Sequence, residues 1–226
     1  MALLGPSYWT LRIDPFRSVP ITPEEPEDFI HEICGKVMYD ELEDDKDRVA
    51  GRFRLYYADF ELAEHHGMTA VEVLDAHHHT LEYAEVILDR QQAPYSPRLS
   101  RLLGDELWNL NLLILDRLEI LPKYRGRGAG LFVLLALIER FGSGAGVVAM
   151  KPFPLQFEPK HSRESSWQKR LRLENLPSDH KTSNQKLKQY YNKLGFVEMK
   201  ATPFMFWNMS WSLPTIEELQ STYLKD

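Results

Sequence analysis

Apolar and polar positions alternate in "YWTLRI", Tyr8 to Ile13, which predicts a short strand closed off by Pro15 and Pro20. From Glu27 to Leu42 two periods compete: Ile30, Ile33 and Val37 recur at helical spacing, while "KVMYDEL" alternates as a strand running into the turn-like "EDDKD". The pattern predicts a helix followed by a strand. "RVAGRFRLYYADFEL", Arg48 to Leu62, is rich in β-branched and aromatic residues and predicts another strand. A helix is expected from Thr69, where Thr69 and Glu72 form a candidate capping box ahead of Val71, Leu74, His78 and Leu81. "APYSPRLSRLLGDE" predicts a loop with one short helical turn.

The second half is simpler to read. "LWNLNLLILDRLEIL", Leu107 to Leu121, is nearly continuous in apolar residues and is stopped by Pro122, as expected of a buried central strand. Leu131 to Arg140 is apolar at almost every position and predicts a buried helix, ended by "GSGAG". "VVAMKPFPLQF" resumes extended structure, "SRESSWQKRLRLENL" reads as an inserted helix, and "NQKLKQYYNKLGF" is an amphipathic helix stopped by Gly195. "FVEMKATPFMFWNMSW" closes the pattern as a pair of strands around Pro203. Strand, glycine turn, buried helix, strand, helix and hairpin together specify a mixed α/β class.

Composition narrows this further. The chain has 226 residues, 43% apolar and 27% charged, the balance of a packed soluble domain. No apolar stretch approaches the roughly 20 residues that a membrane-spanning helix needs, and the start lacks a basic n-region, so neither a membrane partner nor a signal peptide is expected. The lone Cys34 excludes an internal disulfide and fits a reducing cytoplasm. A net charge of −6 argues against nonspecific binding of nucleic acid across the whole surface, because phosphate binding needs a positive field; Trp167 with Lys169, Arg170 and Arg172 would suit a nucleic-acid strand, but one short basic helix is weak evidence, and nucleic acid is not expected as a partner. The charge is uneven, however: acids crowd Glu24 to Asp47, while "KHSRESSWQKRLR", Lys160 to Arg172, is basic.

The join between the central strand and the buried helix, "YRGRGAG", carries the chemistry. Gly126, Gly128 and Gly130 stand where helix N–H groups have no intrahelical partner and the helix dipole is positive, the arrangement that binds phosphate or pyrophosphate. Arg125 and Arg127 add charged donors. The spacing lacks the third glycine of the dinucleotide fingerprint and the Gly-Lys-Ser/Thr ending of the P-loop.

This turn resembles the R/Q-x-x-G-x-G/A motif of the GNAT superfamily of N-acetyltransferases, with Arg125, Gly128 and Gly130 on pattern. "NQKLKQYYNKLGF" resembles a later segment of the same family, N-x-x-A-x-x-x-Y-x-x-x-G-F: Asn184, Tyr191, Gly195 and Phe196 match, and Leu187 replaces the alanine. The resemblance covers Leu107 to about Trp211. It implies a single GNAT-like domain over 1–226, with a mixed central sheet flanked by helices, a divergent acceptor-side half at 1–106, and a coenzyme-binding half at 107–211 carrying an insertion at about 158–183. It further implies that acetyl-CoA is the cosubstrate. The amides of Gly126, Arg127, Gly128, Ala129 and Gly130 and the side chain of Arg125 would hold its pyrophosphate. The strand at Leu118 and Ile120 would pair with the pantetheine arm, and Asn184 would contact it.

The resemblance makes Tyr191 the candidate acid for the departing thiolate, with Tyr190 as its neighbour. For a general base the strand offers two carboxylates. Asp116 is expected on the face of Ile114, Leu118 and Ile120, and Glu119 on the face of Arg117 and Leu121. Glu119, nearer the glycine turn, is the preferred base, against a structural ion pair with Arg117. The reaction expected is acetyl transfer to a primary amine of a small molecule or protein by direct attack on the thioester; the alternative is a non-catalytic module that binds coenzyme A. The acidic segment suits a cationic acceptor such as a polyamine, or is simply a solvated face. His65, His66 and His77 to His79 carry no accompanying metal-site spacing, and no metal is expected. "TPFMFWNMSW" fits either a homodimer interface or core.

Overall fold

In the computed structural model a seven-stranded sheet of order β1-β2-β3-β4-β5-β7-β6 organises the chain. The structure describes residues 9–14, 20–41, 46–89, 95–104, 107–126, 128–159 and 165–224. The strands are β1 (Trp9–Ile13), β2 (Ile30–Glu41), β3 (Lys46–Ala58), β4 (Leu112–Ile120), β5 (Val147–Met150), β6 (Val197–Glu198) and β7 (Met205–Asn208). The helices are α1 (Phe60–His65), α2 (Ala70–Asp75), α3 (His78–Ile87), α4 (Pro97–Leu103), α5 (Ala129–Phe141), α6 (Ser166–Leu171), α7 (His180–Asn192) and α8 (Ile216–Leu224). Strands β1 to β4 pair antiparallel in succession, β4 and β5 pair parallel, and β7 closes antiparallel between β5 and β6. This is the mixed central sheet flanked by helices that the resemblance implied.

Both faces of the sheet are covered, which explains why β4 and β5 read as continuous apolar runs rather than alternating ones. On one face α5 packs Leu131, Leu134, Leu135 and Ile138 against Leu55, Leu113 and Val148. On the other, α1 to α4 pack Phe60, Leu74, Ile87 and Leu99 against Tyr56, Ile114 and Ala149. Each such side chain taken fully out of water contributes about 1.5–3 kcal/mol, so the two layers are the main source of stability. Among the described residues no helix is long and apolar enough to cross a membrane.

The expected helix over the first part of Glu27 to Leu42 is not formed. A single 3-10 turn at Pro26–Phe29 leads straight into the twelve residues of β2. Ile30, Ile33 and Val37 all end buried in one continuously paired strand. Ile30 packs in the layer of α1 to α4 while Ile33 and Val37 pack in the layer of α5, so burial of both faces of β2 imitates a helical spacing. The capping box at Thr69 and Glu72 is present, yet the helix it starts ends at Asp75, and α3 begins anew with His77 as its N-cap. β4 starts at Leu112, later than the apolar run suggested, because Asn111 turns inward to accept from the Glu61 amide.

One irregularity positions the site. Between β3 and β4, Leu55 pairs with Leu115 and Arg54 with Arg117, so Asp116 is an extra residue in β4. Such a bulge bends the strand and increases its local twist. Pairing of β4 with β5 stops just before it, at Ile114 and Ala149. Beyond that point the two parallel strands diverge.

Candidate functional site

The gap between the diverging strands is a cavity of about 440 Å³. Leu118 and Ile120 of β4 form one wall, and Met150 at the end of β5 with Lys151, Phe153, Pro154, Leu155 and Gln156 after it form the other. The glycine turn closes one end, and Tyr190 and Tyr191 of α7 line it as well. Its size suits one elongated organic ligand.

The turn is shaped by its glycines. Gly126 and Gly128 adopt φ of 71° and 75°, the left-handed region that glycine enters without steric cost, and Gly128 is the N-cap of α5. No side chain caps the first turn of this thirteen-residue helix, and Gly128, Ala129 and Gly130 at its start line the cavity. A Cβ at Gly126 would meet nothing within 4 Å, which leaves room for a ligand to approach that backbone. Gly130 serves differently: a Cβ there would stand 2.6 Å from the Tyr190 hydroxyl. Its missing side chain admits the tyrosine, a role that the glycine spacing alone does not reveal.

Arg125 lines the cavity and donates from Nε to the Ile120 carbonyl at 2.7 Å. The carbonyl expected to pair with a ligand is therefore already engaged, and Leu118 is the other expected pairing position on this wall. Arg127 lies outside the described residues. Gly126, Gly128, Ala129 and Gly130 all line the cavity. Asn184 does not; its amide donates to the Pro152 carbonyl at 3.1 Å and ties α7 to the segment after β5.

Tyr191 lines the cavity, and burial pushes its phenol up to about 12. It is fully protonated at neutral pH, as a proton donor must be. Tyr190 packs edge-on against it at 5.7 Å.

Glu119 is not brought to this cavity. Its buried carboxylate accepts from Arg117 Nε at 2.7 Å and from the Trp167 indole N–H at 2.5 Å. The expected base is thus held as a structural ion pair. The bulge is the physical cause of the mismatch. It moves Leu118 and Ile120 to the α5 side, while Arg117 and Glu119 pair opposite Arg54 and Arg52 on the other face. For the same reason Asp116 no longer shares a face with Leu118 and Ile120; it accepts from Arg54 Nε at 2.6 Å.

The segment after β5 crosses the edge of β4 that β5 has left. Glu158 accepts two hydrogen bonds from Arg117, at 2.5 and 2.8 Å, and Trp167 of α6 covers Glu119. Burial alone would lower the Arg117 guanidinium, but Glu158 and Glu119 hold it well above its ordinary range. Leu155, Leu173 and Leu176 from this segment also line the cavity. Nothing in their sequence pattern marked them, because the segment reads as polar and its few leucines acquire meaning only where the chain folds back.

Among the described residues no group of three or more His, Cys, Asp or Glu could hold a metal ion. His77 and His79 lie beside Tyr56, at 5.8 and 6.3 Å between ring centres. Of the acidic segment, residues 42–45 lie outside the described residues.

No protein-family model and no curated protein matches this chain. Among solved structures it is similar to the KacTA–DNA complex at 12% identity, over 96% of this chain and 99% of that one, with a TM-score of 0.40. It is also similar to AtaTR bound with AcCoA at 13% identity, over 97% of this chain and 98% of that one, with a TM-score of 0.38. One expectation is corrected here. Net charge sets nucleic acid aside as a partner, whereas one of the structures that this chain is similar to is a complex with DNA. Total charge is a poor guide because a field is local: Arg48, Lys123, Arg170 and Arg172 line one groove together on a protein that is acidic overall.

Proposed function

We propose that the chain is a GNAT-type acyltransferase that moves an acetyl group from acetyl-CoA to a primary amine of a small molecule or protein. The observation that carries this reading is the divergence of β4 from β5 around a cavity that ends at an uncapped helix N-terminus. The residues fit the cosubstrate. The turn from Gly126 to Gly130 would hold a pyrophosphate through backbone amides and the α5 dipole, and the open backbone beyond Gly126 leaves room for it. Leu118 on the free edge of β4 would pair with an amide-bearing arm, as an added strand pairs with a sheet edge.

The proposed chemistry is direct attack by a neutral amine on the thioester carbonyl. The C–S bond breaks as the C–N bond forms, and the amine proton leaves to solvent or to a neighbouring base. Tyr191 donates its phenolic proton to the departing thiolate. Glu119 is not assigned as base, since both of its hydrogen-bond partners are structural.

A second reading, a module that binds coenzyme A without catalysis, draws on one observation. The carboxylates that line the cavity, Asp116 and Glu158, are both engaged by arginines. Calorimetry with acetyl-CoA tests what the two readings share, and absence of heat at millimolar ligand sinks both. Tyr191→Phe then separates them: it should lower kcat more than it changes the acetyl-CoA KM, whereas an unchanged rate removes Tyr191 as the acid. Binding with no transfer to any amine favours the module.

A further inference from the structure

Across β4 from the cavity lies a second one of about 370 Å³, lined by Asp14, Cys34, Lys36, Arg52, Arg54 and Arg117 among others. Arg117 lines both cavities. Two of its lining cations, Lys36 and Arg52, stand directly opposite one another on β2 and β3. Directly opposed like charges on neighbouring strands are destabilising. Opposite Arg52 on β4 is Glu119, which would be its natural partner. Glu119 is already occupied by Arg117 and Trp167.

Arg52 instead lies over the Trp167 ring, its guanidinium carbon 4.3 Å from the ring centre. Stacking fixes the plane of the guanidinium and leaves its donors directed outward. Among the described residues neither Lys36 nor Arg52 has a carboxylate partner. The other two arginines of the pocket are neutralised, Arg54 by Asp116 and Arg117 by Glu119 and Glu158. Asp14 is the one lining carboxylate outside these pairs, so two uncommitted cations face one uncommitted anion.

We infer that the acceptor amine carries an anionic group, a carboxylate or a phosphate, held by Lys36 and Arg52 on the face of β4 opposite the thioester cavity. The inference rests on the acyltransferase reading. A stacked guanidinium beside an ammonium matches the oxygens of either anion, and its immobilisation on Trp167 lowers the ordering cost of binding. It replaces the cationic acceptor that the acidic Glu24 to Asp47 segment suggested: the pocket beside the candidate thioester site is lined by four cations, Lys36, Arg52, Arg54 and Arg117, against two carboxylates, Asp14 and Glu119.

Matched acceptor pairs provide the test: glycine against glycinamide, and O-phosphoethanolamine against ethanolamine, compared at equal concentrations of unprotonated amine with saturating acetyl-CoA. The charged member of at least one pair should have a KM lower by roughly tenfold or more, the scale of one charge-assisted hydrogen bond. Lys36→Gln and Arg52→Gln should each reduce that preference without changing the calorimetric Kd for acetyl-CoA. Lys36→Gln leaves the Trp167 stack untouched, so it guards against a folding defect in the other variant. Equal use of charged and neutral amines, or a preference that survives both substitutions, overturns the inference. A binding readout decides it independently of turnover. Inorganic phosphate titrated with excess coenzyme A present should bind the unmodified protein and bind both variants more weakly; equal binding by the variants also overturns it. Failure of acetyl-CoA to bind overturns the acyltransferase reading and leaves the phosphate titration to judge the cation pair by itself.

Discussion

Glu119→Gln separates a structural carboxylate from a catalytic one. The wild-type residue is 7% exposed, and its carboxylate accepts one bond from the Arg117 guanidinium and one from the uncharged Trp167 indole. The glutamine amide oxygen can keep the indole bond, but its NH2 can only confront the Arg117 guanidinium, which is itself a donor. The charge-assisted bond is worth about 1.5–3 kcal/mol. Arg117 keeps Glu158, and its side chain is 26% exposed, so solvent and the second carboxylate absorb part of the loss. A destabilisation of about 1–2 kcal/mol results, which for a chain of this size lowers Tm by roughly 2–8 °C. Thermal unfolding followed by circular dichroism measures that directly. Acetyl transfer assayed well below the new Tm should keep kcat within about threefold, since removing a general base lowers kcat by roughly 10²–10⁴. A hundredfold loss of kcat with Tm unchanged refutes the structural assignment and restores Glu119 as the base.

Gly130→Ala places a Cβ 2.6 Å from the Tyr190 hydroxyl, so the tyrosine must move away from the start of α5. A weaker calorimetric affinity for acetyl-CoA is expected, and Tyr190→Phe combined with it should recover part of the loss by removing the colliding oxygen; no change in the single variant disproves the close approach. Alkaline stability should be set by buried phenols. Burial pushes Tyr56 and Tyr191 up to about 12, above the ordinary value of 10. A group whose folded pKa is raised contributes its full stabilisation below the unfolded value and loses it as pH climbs through the folded one. Denaturant midpoints should therefore fall between pH 10 and 12, and Tyr56→Phe should flatten the slope over that window; an identical slope in the variant removes the phenol as its cause.

Much of the glycine turn was legible from local patterning. A glycine turn between a buried strand and a buried helix is a statement about φ angles and unpaired amides within a few residues, and short-range chemistry of that kind survives folding unchanged. Gly126, Gly128, Gly130 and Tyr191 stand out through the internal spacing of two local motifs, and the fold brings them to one cavity. The capping box at Thr69 was legible for the same reason.

What tertiary structure alone decided depends on pairing. The extra residue Asp116 exists only relative to β3, and it exchanges the faces of every side chain that follows relative to those before it, so strand alternation keeps Glu119 with Arg117 but wrongly groups Leu118 and Ile120 with Ile114 and Asp116. The chain supplies the glycines, the tyrosines and the two buried strands by itself. Which face Glu119 occupies, which cation lacks a carboxylate, and that Arg52 rests on Trp167 rather than on Glu119 are decided by contacts between residues 48 and 115 positions apart. Strand alternation could not locate the register shift, because Leu112 to Leu115 are all apolar and hide the phase from which the change would be read.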